Sequence, residues 1–373
     1  MAKVRFLHTA DWQLGMQRHF LTEEAAPRFA QARIDVLRTI GRVAAEQECA
    51  FVVAAGDLFE SNHVDGRTVA RTLEALETIP VPVYLLPGNH DPLDAGSIFR
   101  SKPFADRLPP KVHLLANAEP LTVVPGVEIV GVPWPSKRPR RDLVAETLDG
   151  LVPTSLRILV AHGIVDRLAP DADAPETIRL EPVEAALDEG RIHFVALGDR
   201  HSVTEVAPRI WYSGAPEPTD YDEVRAGQIL VVDLDGERCT VTEHPVGRWE
   251  FVERRFELDS AESVDALAEW LEAHPRKEST VLKIRLRGSL RLRDLERLEQ
   301  VLKRAHDLFA GVQERRTELV YLPDTADLSE LGLTGYERTT VEELLRMGEG
   351  SGEEAETARD ALALLYRLGG GGA

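Results

Sequence analysis

At 373 residues and 41.4 kDa, the chain is long enough to bury a full core and to divide into more than one domain. Apolar residues make up 43% and charged residues 29%, the balance of a globular protein, and the longest apolar runs (Phe51 to Ala55, Arg157 to His162) are too short to cross a bilayer. A net charge of −19 excludes a surface that grips nucleic acid everywhere and leaves room only for local basic tracks.

The opening MAKVRFLHTADW lacks the apolar core and cleavage pattern of a secretory signal. Cys49 and Cys239 stand far apart outside any CxxC pattern, which reads as two free thiols in a cytoplasmic setting. Val4–Thr9 predicts a strand, Glu24–Glu46 a long helix, Ala50–Ala55 a second strand, Gly66–Thr78 a helix and Val81–Leu86 a third strand. Short segments separated by turns follow between Val112 and Val132, and strands resume at Leu156–Ala161, His193–Leu197, Ile210–Ser213 and Gln228–Leu234. This rhythm predicts an α/β fold, two stacked sheets flanked by helices in a four-layer sandwich, over residues 1–248. Phe251–Leu258, Ser260–His274, Ser279–Arg287, Leu290–Phe309 and Glu318–Leu322 then read as a smaller β-α-β-α-β domain, residues 249–323. In residues 324–373 a short helix near Thr340–Met347, with a Thr340–Glu343 capping box, leads through a Gly/Glu linker to a helix at Ala355–Leu368 and an unstructured glycine tail. The apolar residues of Val341–Leu345 and Ala361–Leu368, outside either domain core, suggest a partner-docking element.

Five segments place metal-ligand side chains at the ends of predicted strands: Asp11-Trp12-Gln13, Gly56-Asp57, Gly88-Asn89-His90-Asp91, His162-Gly163 and Gly198-Asp199-Arg200-His201. Loops beyond strand carboxyl ends are where active sites assemble in α/β sheets, and neighbouring glycines let the backbone turn so that side chains converge. One Asp after a strand is ordinarily a cap or turn residue, and one His a packed core residue; five such segments in series point to a metal centre. His8 falls inside the first strand and is expected beneath this site, His193 opens a strand, and His63 reads as a surface residue.

GDLFE, GNHD, AHG and GDRH together resemble the motif series of the calcineurin-like metallophosphoesterase superfamily. FLHTADWQLG, PGNHD and YSGAPEPTDYDE are similar to the nuclease-subunit branch of the bacterial SbcCD exonucleases, over roughly residues 4–225. The resemblance implies two divalent metals bridged by Asp57, one also held by Asp11, Gln13 and His201, the other by Asn89, His162 and Asp199. It implies His90 as the catalytic group at the phosphate, oriented by Asp91. A coiled-coil ATPase subunit similar to SbcC, DNA, and a second copy of the chain are the partners it implies, with no membrane.

Two positions depart from the family pattern: Gln13 and Asp199 stand where histidines are usual. Both departures exchange imidazole nitrogen for oxygen, and an oxygen-rich site predicts Mn²⁺, with Mg²⁺ next, over Zn²⁺, and weaker binding on the Gln13 side. Lys137, Arg138, Arg140 and Arg141 form a basic loop after Trp134 that could hold phosphates while the indole stacks on a base, or could be a solvated charge run. Lys283, Arg285 and Arg287 alternate along a predicted strand, as a basic stripe or as edge-strand charges. The chain has no P-loop and no GxSxG, so neither ATP hydrolysis nor a serine nucleophile is expected. The leading expectation is a metal-dependent DNA exo/endonuclease subunit of DNA repair. The others are a phosphodiesterase or phosphatase on a small substrate, and a catalytically impaired scaffold.

Overall fold

The computed structural model describes residues 2–236, 238–322, 335–348 and 352–370, which fall into two compact units. The first comprises residues 1–18 and 26–250, the second residues 19–25 and 251–373.

In the first unit, β1 (Lys3–Thr9), β2 (Val52–Ala55), β3 (Val83–Leu86) and β4 (Val112–Leu114) run parallel, with α1 (Ala25–Glu46), α2 (Gly66–Glu77) and a single turn α3 (Lys102–Ala105) in the crossovers. All four residues of β2 and of β3 are buried, as expected of strands covered on both faces. The second sheet contains β5 (Leu121–Val124), β6 (Val127–Val132), β7 (Arg157–His162), β8 (Phe194–Gly198), β9 (Thr204–Ala207) and β10 (Ile210–Tyr212), with α4 (Leu143–Asp149) and α5 (Leu180–Asp188) between its strands. Its order is β5-β6-β7-β8-β10-β9, parallel from β6 to β10 and antiparallel at both edges. The chain then returns to the first sheet through β11 (Gln228–Asp235) and β12 (Arg238–Pro245), which complete the order β12-β11-β1-β2-β3-β4 by antiparallel pairing.

Three apolar clusters give the layering. Phe6, Phe51, Val53, Ile158, Val160 and Phe194 pack in one cluster, so the facing sides of the two sheets form the inner layer. Leu37 and Ile40 of α1 and Leu73 and Leu76 of α2 join Leu7, Val52 and Leu85 behind the first sheet. Val144 of α4 and Val183 of α5 do the same with Leu159 and Val195 behind the second. The result is the four-layer α/β arrangement expected from the alternation of elements. His8 sits fully buried in the inner layer, donating from Nε2 to Leu197 O at 3.1 Å.

In the second unit, β13 (Glu250–Leu258), α6 (Ala261–Ala273), β14 (Thr280–Arg291), α7 (Leu292–Leu308) and β15 (Gly311–Leu322) form a three-stranded sheet of order β13-β14-β15, with β14 and β15 parallel. Residues 19–25 belong here as well: Thr22 N–H donates to Ala310 O at 3.0 Å. The basic stripe is corrected on two counts. β14 is the central strand, and its charges are neutralised by β13: Lys283 pairs with Glu253 at 2.9 Å, Arg285 with the same carboxylate, and Arg287 with Glu257 at 2.8 Å.

Helices α8 (Tyr336–Gly348) and α9 (Glu353–Gly370) pack on each other, and α9 packs on β15. Thr340 lies inside α8, its hydroxyl donating to Tyr336 O at 3.0 Å, so the Thr340–Glu343 capping box is not formed. Val341, Ala355, Ala358 and Leu362 are buried against this unit, leaving Met347 and Leu364 exposed. Part of the apolar stripe expected to dock a partner is thus used within the chain. Residue 323 of the smaller domain, the start of the 324–373 segment (324–334), the middle of the Gly/Glu linker (349–351) and the end of the glycine tail (371–373) lie outside the described residues.

Candidate metal centre

The carboxyl ends of β1, β2, β3, β7 and β8 face one point, and all five predicted segments meet there. The register His162↔Gly198 sets His162 level with the loop that carries Asp199. β1 and β2 keep contact past their ends, with Asp11 N–H donating to Gly56 O and Gln13 N–H to Asp57 O, both at 3.0 Å. Of the five non-glycine residues with positive φ among the described residues, four are Asp11 (52°), Gln13 (49°), Asp57 (52°) and Asp199 (99°). Left-handed backbone of this kind strains any residue with a side chain, and such strain collects at functional sites. Two glycines are needed for the approach: a Cβ on Gly56 (φ 94°) would lie 2.2 Å from His162 Nδ1, and one on Gly88 would lie 2.3 Å from Asp57 Oδ1.

Asp11, Asp57 and His162, all buried, offer ligand atoms within 4.8 Å of one another. His162 donates from Nδ1 to Ala55 O (2.9 Å), which turns Nε2 toward Asp57 Oδ1 at 3.3 Å and Asp199 Oδ1 at 3.7 Å. The ring is held from behind, since Trp134 Nε1–H donates to His162 O at 2.7 Å and the indole meets the imidazole edge to face. Asp199 N–H donates to both oxygens of Asp11 at 3.0 and 3.1 Å. His90 N–H donates to Asp57 Oδ1 at 2.9 Å.

His90 Nδ1 lies 3.0 Å from Glu60 O, the acceptor that orients the ring, and Nε2 lies 3.9 Å from Asp57 Oδ2. The expected orientation of His90 by Asp91 is corrected. The fully buried Asp91 carboxylate instead accepts from Gly88 N–H (2.7 Å), Leu58 N–H (2.9 Å) and Phe59 N–H (3.0 Å), bracketing the loops of Asp57 and Asn89.

Two amide oxygens test whether these residues suit cations. Gln13, 1% exposed, donates from Nε2 to Asp57 Oδ2 (3.2 Å), while its Oε1 is buried with no partner. The side-chain amide oxygen of Asn89 faces both Asp57 oxygens, which are acceptors, at 3.0 Å, and His162 Nε2 at 2.8 Å. Either that amide turns its nitrogen onto them, or a cation among them satisfies the whole set and the Gln13 oxygen with it. No lysine or arginine pairs with Asp11, Asp57 or Asp199 among the described residues, only imidazoles. Burial pushes Asp11 up to about 7, against the pull of His201 and His162. Burial likewise raises Asp199. It also works against Asp57, but His162 and His90 outweigh it and keep that carboxylate below its usual range. Burial would discharge His162, yet Asp57, Asp199 and Asp11 raise it well above an ordinary imidazole. Compact, oxygen-rich and short of positive charge, the group fits divalent cations.

His201 is the outermost of the predicted ligands. Its Nδ1 lies 2.9 Å from Glu223 Oε1 and 2.7 Å from Thr219 Oγ1. Burial lowers its pKa, but Glu223 and Asp11 raise it further, to about 9. A polar cleft of about 450 Å³ opens beside it, lined by Asp199, Arg200, Thr219, Glu223 and Arg18. Glu223 and Thr219 escape sequence reasoning: one more glutamate in an acidic loop carries no pattern, although it lies within the YSGAPEPTDYDE segment.

The loop with Lys137, Arg138, Arg140 and Arg141 is exposed and leaves β6 at this same end. It is tied to the site at its root, where Leu93 N–H donates to Trp134 O (2.8 Å) and Trp134 N–H to Pro87 O (3.3 Å). Arg141 pairs with Glu146 at 3.2 Å, whereas Lys137, Arg138 and Arg140 make no ion pair among the described residues. Stacking of a base on Trp134 is corrected: the indole is 6% exposed and committed to His162. His193 caps the strand end by accepting from Arg157 N–H at 3.2 Å, and His63 is exposed.

The family model described as calcineurin-like phosphoesterase matches residues 4–203, more than half of the chain. A relative, the DNA double-strand break repair protein Mre11 of Methanosarcina mazei, is 26% identical over 271 residues, which are 70% of this chain and 41% of the relative. The chain therefore spans less than half of that relative's length. Among solved structures, a protein of Thermus thermophilus designated TT1561 aligns with a TM-score of 0.43 at 12% identity, over 65% of this chain and 99% of its own. A dimetal phosphatase from Danio rerio aligns with a TM-score of 0.36 at 11% identity, over 64% and 98%. The assignment rests on the sequence match, whose span from β1 to beyond His201 holds every converging ligand candidate. The chain belongs to the calcineurin-like phosphoesterase family.

Proposed function

We propose that this chain is a metal-dependent phosphodiesterase that cleaves DNA, an exo/endonuclease subunit working in DNA repair with an ATPase partner. The observation that carries the reading is the convergence of two buried carboxylates (Asp11 and Asp57), the half-buried Asp199, two imidazoles and two amides, one with an orphaned oxygen, unpaired with any lysine or arginine among the described residues. Asp11, Gln13 and His201 would hold one divalent ion, Asn89, His162 and Asp199 the other, with Asp57 between them. When bound, such ions neutralise charge on a phosphate and make water a competent nucleophile. Five of the seven candidate ligands are oxygen donors, which favours Mn²⁺ or Mg²⁺.

His90 is the group left for proton transfer. Nδ1 is engaged by Glu60 O, and the side chain, 41% exposed, is the open one of the cluster. It is therefore placed to meet a phosphate oxygen or to protonate the leaving oxygen. Lys137, Arg138 and Arg140 supply cations at the rim for flanking phosphates. DNA as substrate and an ATPase as partner draw support from the repair-protein relative and from the resemblance to the SbcCD nuclease subunit.

Hydrolysis of bis-(p-nitrophenyl) phosphate and of linear DNA, with Mn²⁺, Mg²⁺ or EDTA and beside His90→Ala, tests the proposal. Manganese-dependent cleavage of both substrates, reduced about 10²–10⁴-fold in the variant, is expected. Wild type and variant equally inert with every metal would leave the impaired scaffold; cleavage of the small diester alone, even with a coiled-coil ATPase added, would leave a small-substrate enzyme.

A further inference from the structure

We infer that Glu223 is a positioning residue of the metal centre, one that fixes the imidazole of His201 through its Nδ1 and so commits Nε2 to a cation. The inference rests on the metal-centre reading above and deepens it. Metal-ligating histidines depend on the partner of their second nitrogen, because it selects the tautomer and the ring orientation. Here that partner is itself immobilised. The Glu223 carboxylate is 5% exposed, and its Oε2 accepts from Thr219 N–H at 2.9 Å. Its Oε1 takes both the Thr219 hydroxyl and, at 2.9 Å, His201 Nδ1.

The Thr219 segment is held in turn from three directions. Arg18 donates to Thr219 O at 2.9 Å. The buried guanidinium of Arg33 donates to Glu217 O at 3.1 Å and Pro218 O at 2.8 Å, and stacks 4.3 Å from the Phe29 ring centroid. The Glu217 carboxylate accepts from Arg248 N–H (3.0 Å) and Trp249 N–H (3.1 Å). The clamped loop between β10 and β11 presents to His201 Nδ1 the Glu223 carboxylate oxygen at 2.9 Å and, at 2.7 Å, the Thr219 hydroxyl that itself donates to that carboxylate.

The role matters more in this chain than it would beside a histidine at position 13. On the reading above, the ion at His201 has the neutral amide of Gln13 as its other distinctive ligand, so a correctly turned imidazole carries a larger share of its binding. The test is Mn²⁺ binding to the full chain, followed by the electron paramagnetic resonance of free Mn²⁺ and by calorimetric titration, for wild type, Glu223→Gln and Glu223→Ala. Wild type is expected to bind two ions. Glu223→Ala weakens one of them by about 10–100-fold and leaves the other. Glu223→Gln, which keeps one acceptor oxygen, falls between wild type and Glu223→Ala at that same ion and guards against an alanine variant that does not fold. A merely structural role would weaken both ions together, in step with thermal unfolding measured in EDTA, and would overturn the inference. Two ions bound with wild-type affinity in both variants would also overturn it. Wild type that binds no Mn²⁺ would instead remove the metal-centre reading, and this inference with it.

Discussion

Asp91 is where a small chemical change should do the most damage to the first unit. Its carboxylate accepts three backbone N–H groups, from Gly88, Leu58 and Phe59, at 2.7 to 3.0 Å, and is fully buried. Asp91→Ala leaves all three donors unsatisfied. At roughly 1–3 kcal/mol each, the loss spans about 3–9 kcal/mol, and water entering the vacated space holds it near the lower end, about 3 kcal/mol. That is a large part of the roughly 5–15 kcal/mol available to a typical domain. Asp91→Asn keeps one oxygen for the Leu58 and Phe59 amides but sets an NH₂ group against Gly88 N–H, so about 1–3 kcal/mol is lost. Urea unfolding followed by tryptophan fluorescence measures both, with EDTA present so that ion binding does not contribute. The expected order is wild type above Asn above Ala. An alanine variant within about 1 kcal/mol of wild type would refute the view that this carboxylate brackets the two loops.

Three further outcomes are expected. Gln13→His should tighten the weaker of two Mn²⁺ sites and shift preference toward Zn²⁺, read by titration with each metal; unchanged binding would remove position 13 from the ligand set. His8 is buried neutral, and burial holds it down at about 3 against the 6.5 of a free imidazole. The stability it contributes is therefore complete above pH 6.5 and is lost as pH falls toward 3, by up to about 1.4 kcal/mol per pH unit, so His8→Gln should flatten acid unfolding in that window, and an unchanged slope would refute it. Replacing Lys137, Arg138 and Arg140 together by alanine should weaken DNA binding uniformly across sequences and reduce the salt slope by up to roughly 2–3, whereas a solvated charge run would leave affinity and slope alone.

The strands and the site loops were legible because each depends on local signals. Unbroken apolar runs make buried parallel strands, and Asp, Asn, His and Gly clustered at their ends announce a turn that must bring side chains together. What could not be read was the partner of each group. Trp134 beside four basic residues suggested an exposed stacking platform, yet its N–H is committed to His162 O. Asp91 follows His90 directly, and adjacency suggested contact, but the carboxylate turns back into the loop bases while Glu60 supplies the oxygen that orients the ring. Arg285 on β14 suggested a basic face until β13 placed Glu253 against it. In each case the deciding atom belongs to a segment whose position is set by tertiary packing, and strand periodicity carries no record of it.

Where the two unusual ligand candidates fall shows how the frame can tolerate them. Position 199 is fixed by its backbone, since its N–H reaches the Asp11 carboxylate whatever side chain it carries, and φ of 99° is imposed by the turn after β8. An imidazole can thus be exchanged for a carboxylate there without moving either loop, and the new oxygen still comes within 3.7 Å of His162 Nε2. Position 13 is likewise held by its main chain, through the N–H bond to Asp57 O. Its side chain gains a second tie that a histidine need not make, from Nε2 to Asp57 Oδ2, and this leaves Oε1 as the atom without a partner. Both exchanges preserve the frame and alter only the donor atom. A lost function would be expected to relax the costly left-handed backbone at Asp11, Gln13, Asp57 and Asp199, each worth about 1–3 kcal/mol of strain. All four retain it, as is common at functional sites.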